Sequence, residues 1–118
     1  RLVGSEMCIR DRLYLESDVV TGLDSDPSRQ TPPGAFRVWS KENGRYLGTM
    51  EVQGYHTWVD YWMPIDHTGI GLHDLSRSAY GGDIYKTNGS HGCINLPLDV
   101  ASNIYQQVIV GTPVFITP

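Results

Sequence analysis

Short segments that alternate hydrophobic and polar positions dominate the chain, and turn-forming residues separate them. Residues 13–21 alternate as a half-buried strand does, whereas residues 22–34 are rich in Asp, Ser, Pro and Gly, as loops are. Residues 55–63 are dense in aromatic side chains, which favour strands. Residues 69–73 predict an inner strand that ends at His73. The pattern therefore predicts a mostly β domain.

A β-hairpin is predicted between residues 35 and 52. Two strand-like segments, 35–40 and 45–52, flank Glu42-Asn43-Gly44. Asn-Gly between such segments is a strong signal for a tight turn, because both residues tolerate positive φ. We therefore expect strands 35–40 and 45–52 to pair around this turn.

One segment has the hydrophobic period of an α-helix. Pro97 suits a first helical turn, and Asp99 favours the positive end of the helix dipole. Gly111 predicts the end of the helix, and residues 112–117 predict a final strand. The predicted apolar face, with its 3.6-residue period, consists of Val100, Ala101, Ile104, Tyr105 and Val108.

Length and charge limit the possible classes of protein. With 118 residues, 40% hydrophobic and 19% charged, the chain can bury one core. A net charge of -4 and the absence of a Lys/Arg cluster argue against nucleic-acid binding. No apolar stretch approaches the roughly 18 residues of a membrane span. Residues 1–12 also lack the apolar segment of a signal peptide.

The candidate chemistry centres on a cysteine with nearby histidines. Cys93 lies in Ser90-His91-Gly92-Cys93-Ile94-Asn95, and His73 precedes it by twenty residues. A free thiol has a pKa of about 8.5, so a nucleophilic cysteine needs an adjacent base, and histidine titrates in the right range. Gly92 permits a backbone that directs amide N–H groups at a developing oxyanion. We therefore predict a cysteine nucleophile.

A metal site is the alternative reading of the same residues. His73, Asp74, His91 and Cys93 contain enough donors for three zinc ligands and an open position. The sequence contains neither His-Glu-x-x-His nor Cys-x-x-Cys, the patterns of common zinc sites. The prediction is therefore a site with no metal and no cofactor.

The segment 90–95, with sixteen residues between His73 and Ser90, resembles the signature of the L,D-transpeptidase catalytic domains (YkuD-like) of bacterial cell walls. The resemblance covers roughly residues 13–117. Residues 1–12 lack it, so we predict that they are a non-native leader and that residues 13–118 are the catalytic domain, truncated at its N-terminus. Further segments that match in the family's order are 19–22, 31–36, 61–64, Gly81-Gly82 and 111–114.

The resemblance implies a fold and an activity. The fold is a twisted β-sandwich of mixed sheets with one packed α-helix and the cysteine in a groove. The activity is formation of 3→3 peptidoglycan cross-links through a cysteine acyl-enzyme, with release of D-Ala from a stem tetrapeptide. Hydrolysis of the same thioester would make the protein an L,D-carboxypeptidase. A cell-wall-binding module without catalysis is the third possibility.

The resemblance also implies a role for each residue of the signature. Cys93 is the nucleophile, His73 is its base, and the backbone carbonyl of Asp74 orients the His73 ring. The backbone N–H groups of Gly92 and Cys93 bind the oxyanion.

Further residues are expected to support the loop and to line the substrate groove. His91 is expected to support the nucleophile loop and the substrate, while Ser90 and Asn95 fix that loop through hydrogen bonds. The expected groove residues are Tyr61, Trp62, Arg77 and Tyr80.

The resemblance extends to partners and location. The implied ligands are peptidoglycan stem peptides and β-lactam inhibitors, carbapenems above all. The implied location is extracytoplasmic, at the cell wall or cell surface, within a longer exported protein. We expect the domain to act as a monomer.

Overall fold

A computed structural model describes residues 4–9, 12–23, 25–26, 29–48, 56–77, 79–81, 84, 89–90 and 92–116. At 4–9 and 12–16 it describes the backbone alone. Three sequence predictions fall outside the described residues: the role of His91, the second glycine of Gly81-Gly82, and the strand beyond residue 48.

Strands are the main regular structure of the described chain, and one α-helix with defined ends packs on them. The elements in chain order are β1 (Gly4–Ile9), β2 (Arg12–Asp18), β3 (Gly34–Arg37), β4 (Glu42–Leu47), β5 (Thr57–Pro64), β6 (Gly71–Asp74), β7 (Ile94–Leu96), α1 (Leu98–Gln107) and β8 (Pro113–Ile116). They confirm the predicted mostly β domain with mixed sheets and one helix.

The central sheet has the order β4-β5-β6-β7. Its first three strands pair antiparallel, whereas β6 and β7 are parallel. Parallel strands cannot be joined by a tight turn, so the chain needs a crossover between them. This crossover occupies residues 75–93 and accounts for the long spacing between His73 and Cys93. Beyond β7 the sheet continues through bridges from Val20 to Asn95 and from Gly22 to Ser90.

The helix packs against β5 and β6 and closes the hydrophobic core. Ala101, Ile104 and Val108 are buried, and Val100 and Tyr105 pack at the edge of the core, which confirms the predicted apolar face. Helix α1 ends at Gln107, before Gly111, which takes φ +100° in the turn that leads to β8. The strand side of the core contributes Val38, Met63, Leu72, Ile94 and Leu96.

The predicted hairpin around Asn43-Gly44 is wrong. Both residues lie inside β4, which pairs with β5, while β3 pairs with β8. Gly44 takes φ +84°, and a Cβ on it would lie 2.8 Å from the Trp58 ring. The glycine is therefore needed for close packing against an aromatic side chain within a strand, and not for a turn.

The N-terminal strands form a sheet of their own. β1 pairs antiparallel with β2, with a register shift between Met7 and Cys8, and this two-stranded sheet is separate from the other two. Part of the predicted leader is therefore paired as a strand. That residues 1–12 are non-native stays a prediction.

Candidate active site

Cys93 borders an open groove of about 680 Å³. The residue lies immediately before β7 and is half-buried, with Sγ donating to the carbonyl oxygen of Gly69 at 3.3 Å. The groove wall also includes Trp62, Asp66 and Ile70, from β5 and the segment that leads into β6. The thiol is therefore within reach of a molecule that enters the groove.

His73 reaches the same face of the sheet from the neighbouring strand. In the parallel ladder His73 lies opposite Asn95, and Cys93 precedes Asn95 by two residues. Because Ile94 pairs with Leu72, Cys93, which immediately precedes β7, lies level with Gly71, two residues before His73 on the neighbouring strand. Leu72 points the other way, into the core. The parallel pairing of β6 and β7 thus brings two segments that are twenty residues apart in sequence next to each other in the fold.

A glycine and a tryptophan complete this face beside His73. The ring of Trp62 lies 5.9 Å from that of His73, centroid to centroid. A Cβ on Gly71 would come within 2.8 Å of the same tryptophan ring and 2.7 Å of the Met63 carbonyl oxygen. Gly71 is therefore required for the close approach of Trp62 to β6, and the tryptophan ring lies beside the buried imidazole at an interplanar angle of 49°.

The hydrogen bonds of His73 fix its tautomer. Nδ1 lies 2.8 Å from the backbone oxygen of Asp74. Because a carbonyl oxygen only accepts, Nδ1 carries the proton in the neutral ring, and Nε2 presents its lone pair. An imidazole in this tautomer can accept a proton at Nε2.

The side chain of Asp74 stabilises the strand end that supplies this carbonyl. Its carboxylate accepts from the backbone N–H of Tyr61 at 2.8 Å and of Asp60 at 2.9 Å. These bonds join the end of β6 to β5. Asp74 thus acts on His73 through its backbone and on the sheet through its carboxylate.

The amide of Asn95 lies between His73 and Arg77. A guanidinium has only donors, so the amide oxygen must face Arg77, whose Nε and Nη2 donate to it at 3.2 and 3.1 Å. The amide nitrogen then donates to His73 Nε2 at 3.2 Å. Asn95 is 1% exposed. Its side chain therefore contacts His73 directly.

The loop that carries Cys93 is held by its own side chains. The hydroxyl of Ser90 donates to the carbonyl oxygen of Cys93 and accepts from the N–H of Gly92 at 3.2 Å. Gly92 has φ +115°, a conformation that favours glycine. Because the Gly92 N–H is directed at Ser90, it does not point into the groove in this structure.

The same loop is tied to a distant segment by buried polar contacts that the sequence did not indicate. Thr31 donates through Oγ1 to the Gly92 carbonyl oxygen at 2.7 Å and accepts from the Gly22 N–H at 2.7 Å. Arg29 donates to the carbonyl oxygens of Gly89 and Ser90 at 3.0 and 3.3 Å. We call Arg29 and Thr31 the polar clamp. Their positions in a Pro-rich loop give no local signal of this role.

Burial favours the neutral forms of both Cys93 and His73. Desolvation raises the pKa of the Cys93 thiol to about 11, a change that the Gly71 backbone N–H opposes and the Asp66 carboxylate reinforces. Desolvation lowers the pKa of His73 despite the raising effects of the Asp74 carbonyl and carboxylate, and the charge of Arg77 lowers it further. The resting pair is therefore thiol and imidazole, and not thiolate and imidazolium.

The expected groove residues lie in different places. Trp62 lines the groove beside Cys93. Tyr61 instead packs against Tyr105 of α1, on the core side, with ring centroids 5.0 Å apart. Tyr80 donates to the Leu75 carbonyl oxygen within the crossover.

Two absences hold within the described part of the chain. It contains no group of three or more His, Cys, Asp or Glu side chains arranged to hold a metal ion. No helix in this part is long and apolar enough to cross a membrane.

Comparison with known proteins identifies the family. Residues 5–116 match the model of the YkuD L,D-transpeptidase catalytic domain. The chain is also 32% identical over 95 residues to L,D-transpeptidase 1 of Mycobacterium tuberculosis, which covers 75% of this chain and 37% of that protein. The chain belongs to the L,D-transpeptidase catalytic domain family, whose members are acyltransferases.

Solved structures agree with this assignment. A crystal structure of an Enterococcus faecium L,D-transpeptidase mutant superimposes with a TM-score of 0.87 and 41% identity, covering 97% of this chain and 45% of that one. The structure of the E. faecium catalytic domain acylated by ertapenem superimposes with a TM-score of 0.75 and 45% identity. It covers 90% of this chain and 82% of that one. The chain thus spans less than half of the full-length relatives and most of their isolated catalytic domain.

Proposed function

We propose that this chain catalyses peptidoglycan L,D-transpeptidation through an acyl-enzyme on Cys93. The observation that carries the proposal is the placement of Cys93 beside β6, the strand that carries His73 in the tautomer with an unprotonated Nε2. The proposed substrate is a stem tetrapeptide, cleaved between its third residue and the terminal D-Ala. Membership of the family supports this choice of substrate.

The acylation step follows from the neutral resting pair. The thiol leaves the Gly69 oxygen, at a cost of about 1 kcal/mol for one neutral hydrogen bond. Sγ then attacks the carbonyl carbon of the third residue, while the Asn95 amide, which donates to His73 Nε2 at 3.2 Å at rest, leaves the lone pair and Nε2 takes the thiol proton. Collapse of the tetrahedral intermediate breaks the C–N bond, and Nε2 returns the proton to the leaving D-Ala amine. A thioester on Cys93 remains.

The oxyanion needs backbone donors near Sγ. Because the Gly92 N–H is directed at Ser90, we assign the main oxyanion contact to the N–H of Cys93 itself. Ser90 then has an indirect role, since it holds the loop conformation through both of its hydrogen bonds.

Deacylation by an amine completes the transfer. A side-chain amine of a second stem attacks the thioester, loses its proton to His73, and regenerates the thiol with a 3→3 cross-link. Water in place of the amine would give a tripeptide and make the same site an L,D-carboxypeptidase. The open groove, about 680 Å³, has room for both an acyl chain and an acceptor.

Incubation with a disaccharide tetrapeptide, followed by mass spectrometry, tests the proposal. A dimer that lacks one D-Ala identifies transpeptidation, and a tripeptide identifies hydrolysis. Unchanged substrate, from a protein that binds cell-wall fragments and keeps its fold, would mean a non-catalytic binding module and would contradict the proposal.

Carbapenems provide a second test of the same thioester chemistry. The ring carbonyl of a carbapenem is an activated amide, and the relative from E. faecium has been seen acylated by ertapenem. We expect intact mass to increase by one ertapenem on the wild type and not on Cys93→Ala. Adduct formation on another residue would contradict the assignment of the nucleophile.

The location and oligomeric state are part of the proposal. A peptidoglycan substrate places the full-length protein outside the cytoplasm, at the cell wall or cell surface. We propose that the domain acts as a monomer, because the groove, Cys93 and His73 all come from a single chain. Size-exclusion chromatography with light scattering would detect a dimer.

A further inference from the structure

We propose that Arg77 and Asn95 form a positioning relay that keeps His73 neutral and in the tautomer with its proton on Nδ1. Only the effect of the relay on catalysis rests on the proposed function. Its physical basis is the chain of contacts from the Arg77 guanidinium through the Asn95 amide to Nε2 of His73.

The orientation of the Asn95 amide has only one satisfactory solution. Rotating the amide by half a turn would place its NH2 group against the guanidinium, donor against donor. Arg77 makes two hydrogen bonds to the amide oxygen, so it fixes the NH2 group on the side of His73. Asn95 is buried and held at its backbone by Val20, so any movement of the amide away from Nε2 is confined to its side chain.

The hydrogen bond at Nδ1, the other ring nitrogen of His73, favours the same arrangement. The NH2 group of Asn95 needs an acceptor at Nε2, and the Asp74 carbonyl needs a donor at Nδ1. Both contacts select the same tautomer. An imidazolium would instead direct an N–H at the Asn95 NH2 group, and the amide could not turn to accept it without opposing Arg77.

The relay therefore biases the direction of proton transfer. His73 is unprotonated before the reaction, as a base must be, and the proton that it takes from Cys93 is poorly held at Nε2. Such a proton passes readily to the leaving amine. The charged groups that face His73 in the described residues are Asp74 and Arg77, with the Cys93 thiol on the adjacent strand end. Arg77 and Asn95 are positioning residues, since neither needs to touch the substrate.

Titration of His73 by NMR tests the relay without any substrate. In Arg77→Met we expect the pKa of His73 to rise by about 0.5 to 1 pH unit, and in Asn95→Asp by more, because a carboxylate would favour the imidazolium. Arg77→Lys keeps the charge and should stay closer to the wild type. The imidazole nitrogen shifts should report proton on Nδ1 in the wild type and a mixture of tautomers in Arg77→Met.

Arg37→Met is the matched control, because Arg37 also donates to a backbone carbonyl but lies on β3. It should leave the His73 titration unchanged. The relay is wrong if Arg77→Met and Asn95→Asp both melt normally and leave the pKa and tautomer of His73 unchanged.

If the relay holds, the acid limb of the pH profile for D-Ala release moves to higher pH in Arg77→Met by the same amount as the pKa of His73. A protein that shows the NMR shifts but releases no D-Ala would refute the proposed function and leave the relay intact.

Discussion

The two halves of the site are held by different forces. His73 lies inside a sheet, where ladder hydrogen bonds, Trp62 and the core beneath Leu72 fix its position. Cys93 lies on a loop outside the strand, where the Ser90 hydroxyl and the polar clamp of Arg29 and Thr31 hold the backbone. His73 is thus fixed by elements close in the fold, and Cys93 by polar contacts from residues about sixty positions away.

This difference indicates how each half responds to change. A strand residue keeps its direction as long as the sheet forms, because the pleat determines where the side chain points. A loop residue keeps its direction only while specific hydrogen bonds persist. We therefore expect substitutions of Cys93 and of His73 to reveal the separate roles of the two halves. Substitutions in the polar clamp should affect Cys93 while His73 stays in place.

Removal of the nucleophile should have the largest effect. Cys93→Ala eliminates Sγ and little volume, so we expect no detectable single-turnover release of D-Ala, with a melting temperature close to the wild type. Thermal melting and D-Ala release should be measured on the same sample. Release by a folded Cys93→Ala protein would place the nucleophile elsewhere.

Removal of the base should leave a measurable rate. His73→Ala should slow acylation by about two to four powers of ten, the usual contribution of general acid-base catalysis. Pre-steady-state thioester formation measures this step directly. A rate within a factor of about three of the wild type at matched folding would mean that another group takes the proton.

The neutral thiol predicts a steep pH dependence of alkylation. With a pKa of about 11 in place of 9.0, Cys93 has roughly a hundredfold less thiolate at pH 7 than an unperturbed thiol. Alkylation by iodoacetamide, followed by peptide mapping, should rise about tenfold per pH unit up to pH 9 without a plateau. The unfolded protein provides the control, since its alkylation rate should level off at a lower pH. A plateau below pH 8 in the folded protein would indicate an ion pair with His73.

Loss of the clamp should have a moderate effect on stability. Thr31→Val retains the side-chain shape but leaves the Gly22 N–H and the Gly92 carbonyl without their partner, at a cost of about 1–3 kcal/mol. Denaturant unfolding should show this loss together with slower acylation, and Thr31→Ser should restore both. Thr112→Val is the matched control, because Thr112 accepts a single exposed hydrogen bond. Equal effects of the two valine substitutions would exclude a clamp.

Truncation should have the smallest effect. Deletion of residues 1–12 removes β1 and the first residue of β2 and leaves both halves of the site, which lie between residues 20 and 97, intact. We expect the rate of D-Ala release to stay within a factor of about two, and the melting temperature within about 2 °C, of the values for the full chain. A change of this size is typical of surface substitutions in a domain of this length. A fall of several degrees would show that pairing of β1 with β2 stabilises the domain.

The helix and the chemical signature could be predicted from the sequence because their signals are local. The apolar face of α1 repeats every 3.6 residues, and the segment 90–95 is contiguous. The prediction of a turn at Asn43-Gly44 was wrong because the contact that decides this part of the fold is not local. Its local signal is genuine, but packing of Gly44 against Trp58 outweighs it, and this contact depends on the pairing of β4 with β5.

The sequence by itself determined the mostly β class, the amphipathic helix and the pairing of a cysteine with a histidine as candidate chemistry. Only the tertiary structure decided that His73 and Asn95 are neighbours in a parallel ladder, that Tyr61 faces the helix and that Thr31 holds Gly92. The physical reason is that these contacts join residues far apart in the chain. Periodicity reports which face of one element is buried, but the partner of a buried polar group depends on how the elements assemble.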